Sequence, residues 1–230
     1  DRRMSLSVEV VGAGPDLVLL HGWGMSAAVV EPFAAELARS WRVSVIELPG
    51  HGLSPWDSEC GGLAAWADAC LAAAPARAWW LGWSLGGLIA IEAATRAPDR
   101  VRGLRLVAGT PCFTQREDWR PALAGQVLDG FAQELVTDPT ATLRRFLSLQ
   151  VRGSEDGRSA LRALQAGMRG RPEPHAEALA RGLSILRDSD LRGGLSALLC
   201  PVHWLFGERD TLVPVAAAVE IAKLSPGCSV

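Results

Sequence analysis

The run WWLGWSLGGLIA, Trp79 to Ala90, holds one hydroxyl among apolar residues, with glycine two positions before Ser84 and two and three after it. A serine hydroxyl attacks carbonyl carbon only when a base removes its proton, so the chemistry on offer is acyl transfer with a histidine and an acid behind the serine. Gly82-Trp83-Ser84-Leu85-Gly86 fits G-x-S-x-G, in which a tight strand-to-helix turn lifts the hydroxyl clear of a sheet. Alone the string is weak, and a glycine-rich turn with a solvated serine is the plain alternative. Context favours the nucleophile: AWWLGW reads as a strand, and helical spacing runs from Ser84 to Pro98.

Acyl transfer also needs donors for the developing oxyanion. The Leu85 N–H, at the helix start, is one candidate. The second comes from a loop after an earlier strand, and LVLLHGWGM supplies His21-Gly22-Trp23-Gly24 there, which makes the Trp23 backbone N–H the choice. The acid belongs after a later strand, where GERD follows HWLF and Asp210 fits better than Glu208 or Asp188. Asp210 also suits the plain role of starting a turn before a helix. The base is missing from this order, because no histidine follows Asp210. His21 belongs to the oxyanion loop, His51 to the turn PGHG, His175 to a proline-flanked segment and His203 to a strand interior.

These groups need a scaffold. LSVEV alternates as a half-exposed strand, and LVLL is a continuous apolar run. A helix from Ala27 to Arg39, a strand from Val43 to Leu48, a helix from Leu63 to Ala73, the strand before Ser84 and a strand from Leu104 to Ala108 continue the alternation. That order predicts an α/β fold, a mostly parallel sheet with helices on both faces. Strand signals stop from about Pro111 to Arg192, where helical segments rich in Arg, Ala and Leu predict an inserted helical cap. The expected organisation is a first core part at 1–110, the cap at 111–192 and a second core part at 193–230. The second part holds the strand Cys200–Gly207, a helix from Val215 to Leu224 and, in the closing CSV, the start of another strand.

Composition narrows the function. With 230 residues, 49% hydrophobic and 21% charged, the chain has ordinary globular proportions, and its net charge of −2 excludes a generally basic nucleic-acid-coating surface. No run of about 18 apolar residues predicts a membrane span, and DRRMSLSVEV has no apolar signal region. A cytoplasmic monomer is expected. The five cysteines lack CxxC spacing, so they are read as reduced thiols with neither a disulfide framework nor a metal site. From Pro139 to Arg171 seven arginines stand against Glu155 and Asp156. Arg158 and Arg162 share a helix face by their i,i+4 spacing. With Arg145 they are read either as a solvated face or as a docking face for an acidic carrier protein.

The stretches LVLLHGWG, ELPGHGLS, WWLGWSLGGL, PCFTQREDW, RRFLSLQ and GERDTLVP together resemble one family, the pimeloyl-(acyl-carrier protein) methyl ester esterases of biotin synthesis within the α/β-hydrolases. The resemblance implies that Ser84 attacks the ester carbonyl, Asp210 orients a histidine, Trp23 and Leu85 hold the oxyanion, and Phe146, Leu147, Ser148, Leu149 and Gln150 line the acyl channel. It implies an acyl-carrier protein bearing pimeloyl methyl ester as substrate and partner, methanol as leaving group and no cofactor. Members of that family carry a histidine on a loop beyond the point where this sequence stops, so the chain as given is expected to be C-terminally truncated and inactive. A broader carboxylesterase or C–C hydrolase of the same fold, and a non-catalytic binding homologue, are the alternative readings.

Overall fold

Strands that are apolar on both faces need cover on both, and that demand organises the molecule. In the computed structural model, which describes residues 5–230, six strands form one sheet. They are β1 (Val8–Val11), β2 (Asp16–Leu20), β3 (Arg42–Ile46), β4 (Ala78–Trp83), β5 (Val101–Val107) and β6 (Val202–Leu205). The spatial order is β1-β3-β2-β4-β5-β6, with β1 antiparallel to β3 and every other pair parallel. Side chains alternate between the two sides: Val18, Leu20, Trp80 and Leu106 enter one core, Leu17, Leu19 and Leu81 the other. The register pairs Leu20 with Gly82, Trp83 with Val107 and Val107 with Leu205. The loops after β2, β4, β5 and β6 therefore leave one edge of the sheet together, where α/β sheets place their sites.

Helices α1 (Ala27–Leu37), α2 (Leu63–Ala73) and α3 (Leu85–Arg96) follow β2, β3 and β4. Between β5 and β6 lie α4 (Gly125–Thr137), α5 (Pro139–Gln150), α6 (Gly157–Arg169) and α7 (Ala176–Asp188), and α8 (Ala217–Leu224) follows β6. Helix α5 starts where Asp138 accepts the Ala141 N–H at 2.9 Å, with Pro139 in the first turn. Helix α7 is bolted to the core: Trp23 Nε1 donates to the Leu179 carbonyl at 2.9 Å, and the His175 N–H to the Gly50 carbonyl at 2.8 Å. Helix α6 rests mainly on α1 and α5 and buries none of its residues fully.

The elements expected from the sequence are present with shifted ends. β5 begins at Val101, three residues before the expected Leu104, and takes in Gly103, whose missing side chain makes room for the Trp79 ring: a Cβ there would overlap it. The closing residues behave as a strand start, since Ser229 bridges His203 in parallel and donates its N–H to the Val202 carbonyl at 3.0 Å.

Cover is uneven. The core on the α1 side draws its helical residues from α1 alone, and towards β6 that face opens on a cavity of about 410 Å³ bordered by Phe33, Trp79, Arg105 and Leu205. Leu205 is 65% exposed and Phe33 45%. The Arg105 guanidinium lies 4.6 Å from the Trp79 ring centre and shields part of it. An apolar sheet face of this kind promotes association. Chain 1–230 is therefore expected to bind an anilinonaphthalene sulfonate dye, and Phe33→Glu with Leu205→Lys to reduce that binding while the far-ultraviolet circular dichroism stays unchanged. Equal dye binding by the double variant would place the exposed apolar surface elsewhere.

Candidate active site

The turn between β4 and α3 is forced by two glycines. A Cβ on Gly82 would overlap the Gly86 carbonyl, and one on Gly86 would come within 2.6 Å of the Leu20 carbonyl and 2.7 Å of that of His21. The chain between them bends so sharply that Ser84 takes φ 55° and ψ −114°, a left-handed conformation rare outside glycine. Its N–H donates to the Val107 carbonyl at 3.0 Å, which anchors the strained residue to β5. Ala108, the other non-glycine residue with positive φ among those described, follows β5 and borders the same cavity as Ser84.

The loop after β2 is held from below by two buried imidazoles. His21 Nδ1 faces the Gly22 carbonyl at 2.8 Å, and its Nε2 accepts the Leu48 N–H at 3.0 Å. His51 Nδ1 faces the Pro49 carbonyl at 3.0 Å, and its Nε2 accepts the Gly24 N–H at 3.1 Å. Both nitrogens of each ring are engaged, so neither imidazole has a lone pair for a substrate proton. Burial lowers His21 to about 3, aided by repulsion from His51, and burial lowers His51 to about 4. In the turn closed by the Met25 N–H on the Gly22 carbonyl at 3.2 Å, Trp23 is a central residue, and its own N–H has no acceptor among the described residues. This turn adjoins the nucleophile candidate: a Cβ on Gly22 would stand 3.6 Å from Ser84 Cβ. The Leu85 N–H, at the first position of α3, is likewise free of an intrahelical partner.

Ser84, Asp210 and Gln150 border one cavity of about 610 Å³. α1 forms one wall with Ala28, Val29 and Pro32, and α6 another with Ala160, Ala163 and Gly167. Asp210 Oδ1 accepts the N–H groups of Leu212 at 2.8 Å and Val213 at 3.0 Å, which fixes the carboxylate in the loop after β6. The same bonds make the turn that the plain reading assigned to this residue. Asp188 is elsewhere, at the end of α7 against Arg187, whose hydrogen bonds hold the carboxyl below its ordinary range. His175 caps α7 and stacks on Trp56, and His203 borders the open sheet face beside Ser229. None of the four histidines borders the cavity of Ser84.

The segment Phe146–Gln150 does not act as one lining. Gln150 borders the cavity, with a buried Nε2 that has no hydrogen-bond partner among the described residues. Phe146 packs edge-on against Trp23 at 4.8 Å and Phe131 at 5.4 Å. Leu147 is buried and borders a different cavity with Leu143 and Met168, Leu149 packs against the core, and the exposed Ser148 hydroxyl donates to the Arg145 carbonyl at 2.7 Å. Five consecutive helical residues point round the whole helix, which is why they divide. The α6 wall escaped the sequence reading, although small residues at 160, 163 and 167 fall at i, i+3 and i+7, the spacing of one helical stripe. No group of three or more His, Cys, Asp or Glu side chains that could hold a metal ion occurs among the described residues. No helix there is long and apolar enough to cross a membrane.

Comparison with known proteins agrees with this fold. The family model for the alpha/beta hydrolase fold matches residues 15–229. The chain is 44% identical over 221 residues to a pimeloyl-(acyl-carrier protein) methyl ester esterase of Xanthomonas oryzae pv. oryzae, covering 96% of this chain and 87% of that protein. It is 43% identical over 224 residues to the esterase of the same name from Methylococcus capsulatus, covering 97% and 87%. The chain belongs to the pimeloyl-(acyl-carrier protein) methyl ester esterase family of α/β-hydrolases. Among solved structures, the esterase EaEST from Exiguobacterium antarcticum superposes with a TM-score of 0.85 at 21% identity, covering 97% of this chain and 84% of that one, a likeness of fold. This esterase-family chain thus sets its G-x-S-x-G serine at the sheet edge, beside a turn with a free N–H and in one cavity with Asp210.

The imidazole pair predicts an acid sensitivity. The native state leaves both rings neutral down to about 4 and 3, whereas the unfolded chain protonates them near 6.5. Between those values the unfolded state holds more protons, so stability is present above pH 6.5 and falls on acidification, at up to about 2.7 kcal/mol per pH unit for the pair. Urea unfolding from pH 6.5 to 5 measures this slope, and His51→Gln is expected to halve it. A slope indifferent to that substitution would mean that other groups carry the linkage.

Proposed function

We propose that Ser84 is the nucleophile of a carboxylic ester hydrolase whose substrate is the methyl ester of pimeloyl-acyl-carrier protein, in biotin synthesis. One observation carries the reading: the strained serine and Asp210 open on a single cavity beside two free N–H groups. The names and identity of the relatives supply the substrate class. Ser84 Oγ adds to the ester carbonyl carbon and its proton goes to a base. The Trp23 and Leu85 N–H groups hold the oxyanion, methanol leaves, and water then releases the carboxylate from the acyl-enzyme. Asp210 orients the base and stabilises its charged form. Gln150, α1 and α6 receive the acyl chain, while Phe146 supports Trp23. No step calls for a cofactor.

The base is a separate requirement, because the four histidines of this sequence lie outside the cavity or have both ring nitrogens engaged. Chain 1–230 alone is expected to hydrolyse p-nitrophenyl esters about 10⁴-fold or more below an esterase with a complete triad. Added imidazole, as a diffusible base, should restore part of the rate, and Ser84→Ala should abolish what is restored. Imidazole-dependent turnover that survives Ser84→Ala would move the nucleophile elsewhere.

The carrier protein is assigned to the outer face of α6. Arg158 and Arg162 are exposed there without an acidic partner among the described residues. Their helix walls the Ser84 cavity with its inner face. Arg145 contributes less, since Glu134 meets its Nε at 3.1 Å and its guanidinium lies 4.3 Å from the Phe131 ring centre. Positive potential at this face speeds encounter with an acidic partner and orients it. The enzyme is read as a cytoplasmic monomer. With Arg158→Glu and Arg162→Glu in the full-length gene product, KM for the carrier-bound ester should rise about tenfold or more at low salt, with hydrolysis of a small soluble ester within twofold of the parent. Salt should reproduce part of the effect. Equal loss on both substrates would mean damage to the insert, and no loss on the carrier substrate would leave the two arginines as solvated side chains.

A further inference from the structure

Glu47, just past the end of β3, has no solvent exposure, and the chemistry above gives it no task. Its Oε1 accepts the Ala27 N–H at 3.0 Å and its Oε2 the Leu53 N–H at 2.7 Å. Gly52, at φ +56°, packs so closely that any Cβ there would overlap the carboxylate. Two amides do not offset the cost of burying a carboxylate as an ion. The compensating charge comes from a distant part of the chain: Arg171 Nε stands 3.3 Å from Glu47 Oε1, while its Nη2 pairs with Glu9 on β1. The Nε–H finds no aligned acceptor, so the contact with Glu47 is one of charge more than of hydrogen bonding. Arg171 is the only cation against Glu47 among the described residues, and its side chain is 19% exposed.

The two ends of this contact belong to different machinery. Arg171 sits in the link between α6 and α7, two residues past the end of the helix that walls the cavity. Ala27 is the first residue of α1, four residues after Trp23, and its N–H is the first point where that loop is tied to the carboxylate. The backbone of α6 also meets α1 here, because a Cβ on Gly167 would come within 2.8 Å of Val29 Cα. We propose that Arg171 is a positioning residue for the oxyanion loop: by neutralising Glu47 it fixes the start of α1, and through it the turn bearing the Trp23 N–H, against Ser84. The same contact pins the C-terminal end of α6 over the cavity. The proposal rests on Trp23 as the oxyanion donor, and its test has one readout that does not depend on catalysis.

The test uses the full-length gene product with Arg171→Met, which keeps an apolar stem and removes the charge, and Arg171→Lys, which keeps the charge and loses the planar fork. Amide hydrogen exchange is expected to quicken by about tenfold or more at residues 22–27 in Arg171→Met and to stay at the parent rate in α3, with Arg171→Lys intermediate. On a small p-nitrophenyl ester, kcat per titrated active site should fall about tenfold with KM within twofold, because a displaced oxyanion donor weakens the transition state more than the ground state. Arg171→Lys should recover part of it. A purely structural arginine would lower the number of titratable sites and leave kcat per site unchanged, and that result would overturn the proposal. So would parent-like exchange at 22–27 in both variants. If the parent protein hydrolyses no ester, the esterase reading fails, and the exchange experiment still decides whether Arg171 holds the loop.

Discussion

Everything at the site depends on one close approach, that of the α3 start to the end of β2. Gly86 lies against the Leu20 and His21 carbonyls with no room for even a methyl group. Backbone in direct contact with backbone has no rotamers to relax, so the distance between the serine turn and the loop after β2 is set by covalent geometry and strand spacing. The parallel register of β2 and β4 brings the two chain ends level, and the glycine contact sets their depth. A nucleophile and an oxyanion donor must agree to within about half an ångström, which side-chain packing alone seldom guarantees.

The buried polar groups beneath this contact are the second layer of the same arrangement. His21, His51 and Glu47 are fully enclosed, and all three accept backbone N–H groups from neighbouring loops. In a sheet fold, loops at the strand ends cannot satisfy their amides through the ladder, so side chains must do so. The neutral imidazoles achieve this without a countercharge. The carboxylate needs one, and that need ties the end of β3 to the link between α6 and α7.

Much of the arrangement is written locally and is therefore legible in the sequence. The serine turn is signalled by glycine spacing at a change of period from strand to helix, and the acid loop and the HGWG turn by their places after apolar runs. What escapes is set by distant contacts. The strand expected from Leu104 starts earlier because Gly103 makes room for the Trp79 ring, and Glu47, legible only as part of the strand Val43–Leu48, takes its role from Arg171 far along the chain. Phe146 to Leu149 divide between a buried aromatic contact, the core and solvent because the neighbours of α5, not its sequence, decide which face meets the cavity.

Helix α6 buries no residue fully, yet its alanines and Gly167 shape the cavity beside Ser84. For most residues near a functional centre, a change that alters the space available to a ligand also disturbs the packed interior and is removed by selection for stability. Here the two requirements fall on different parts of the chain. Exchanging Ala160 or Ala163 for a larger side chain resizes that cavity while the sheet and its glycine contact keep their packing. The helix is thus a part of this molecule on which the shape of the cavity can evolve, or be engineered, one mutation at a time.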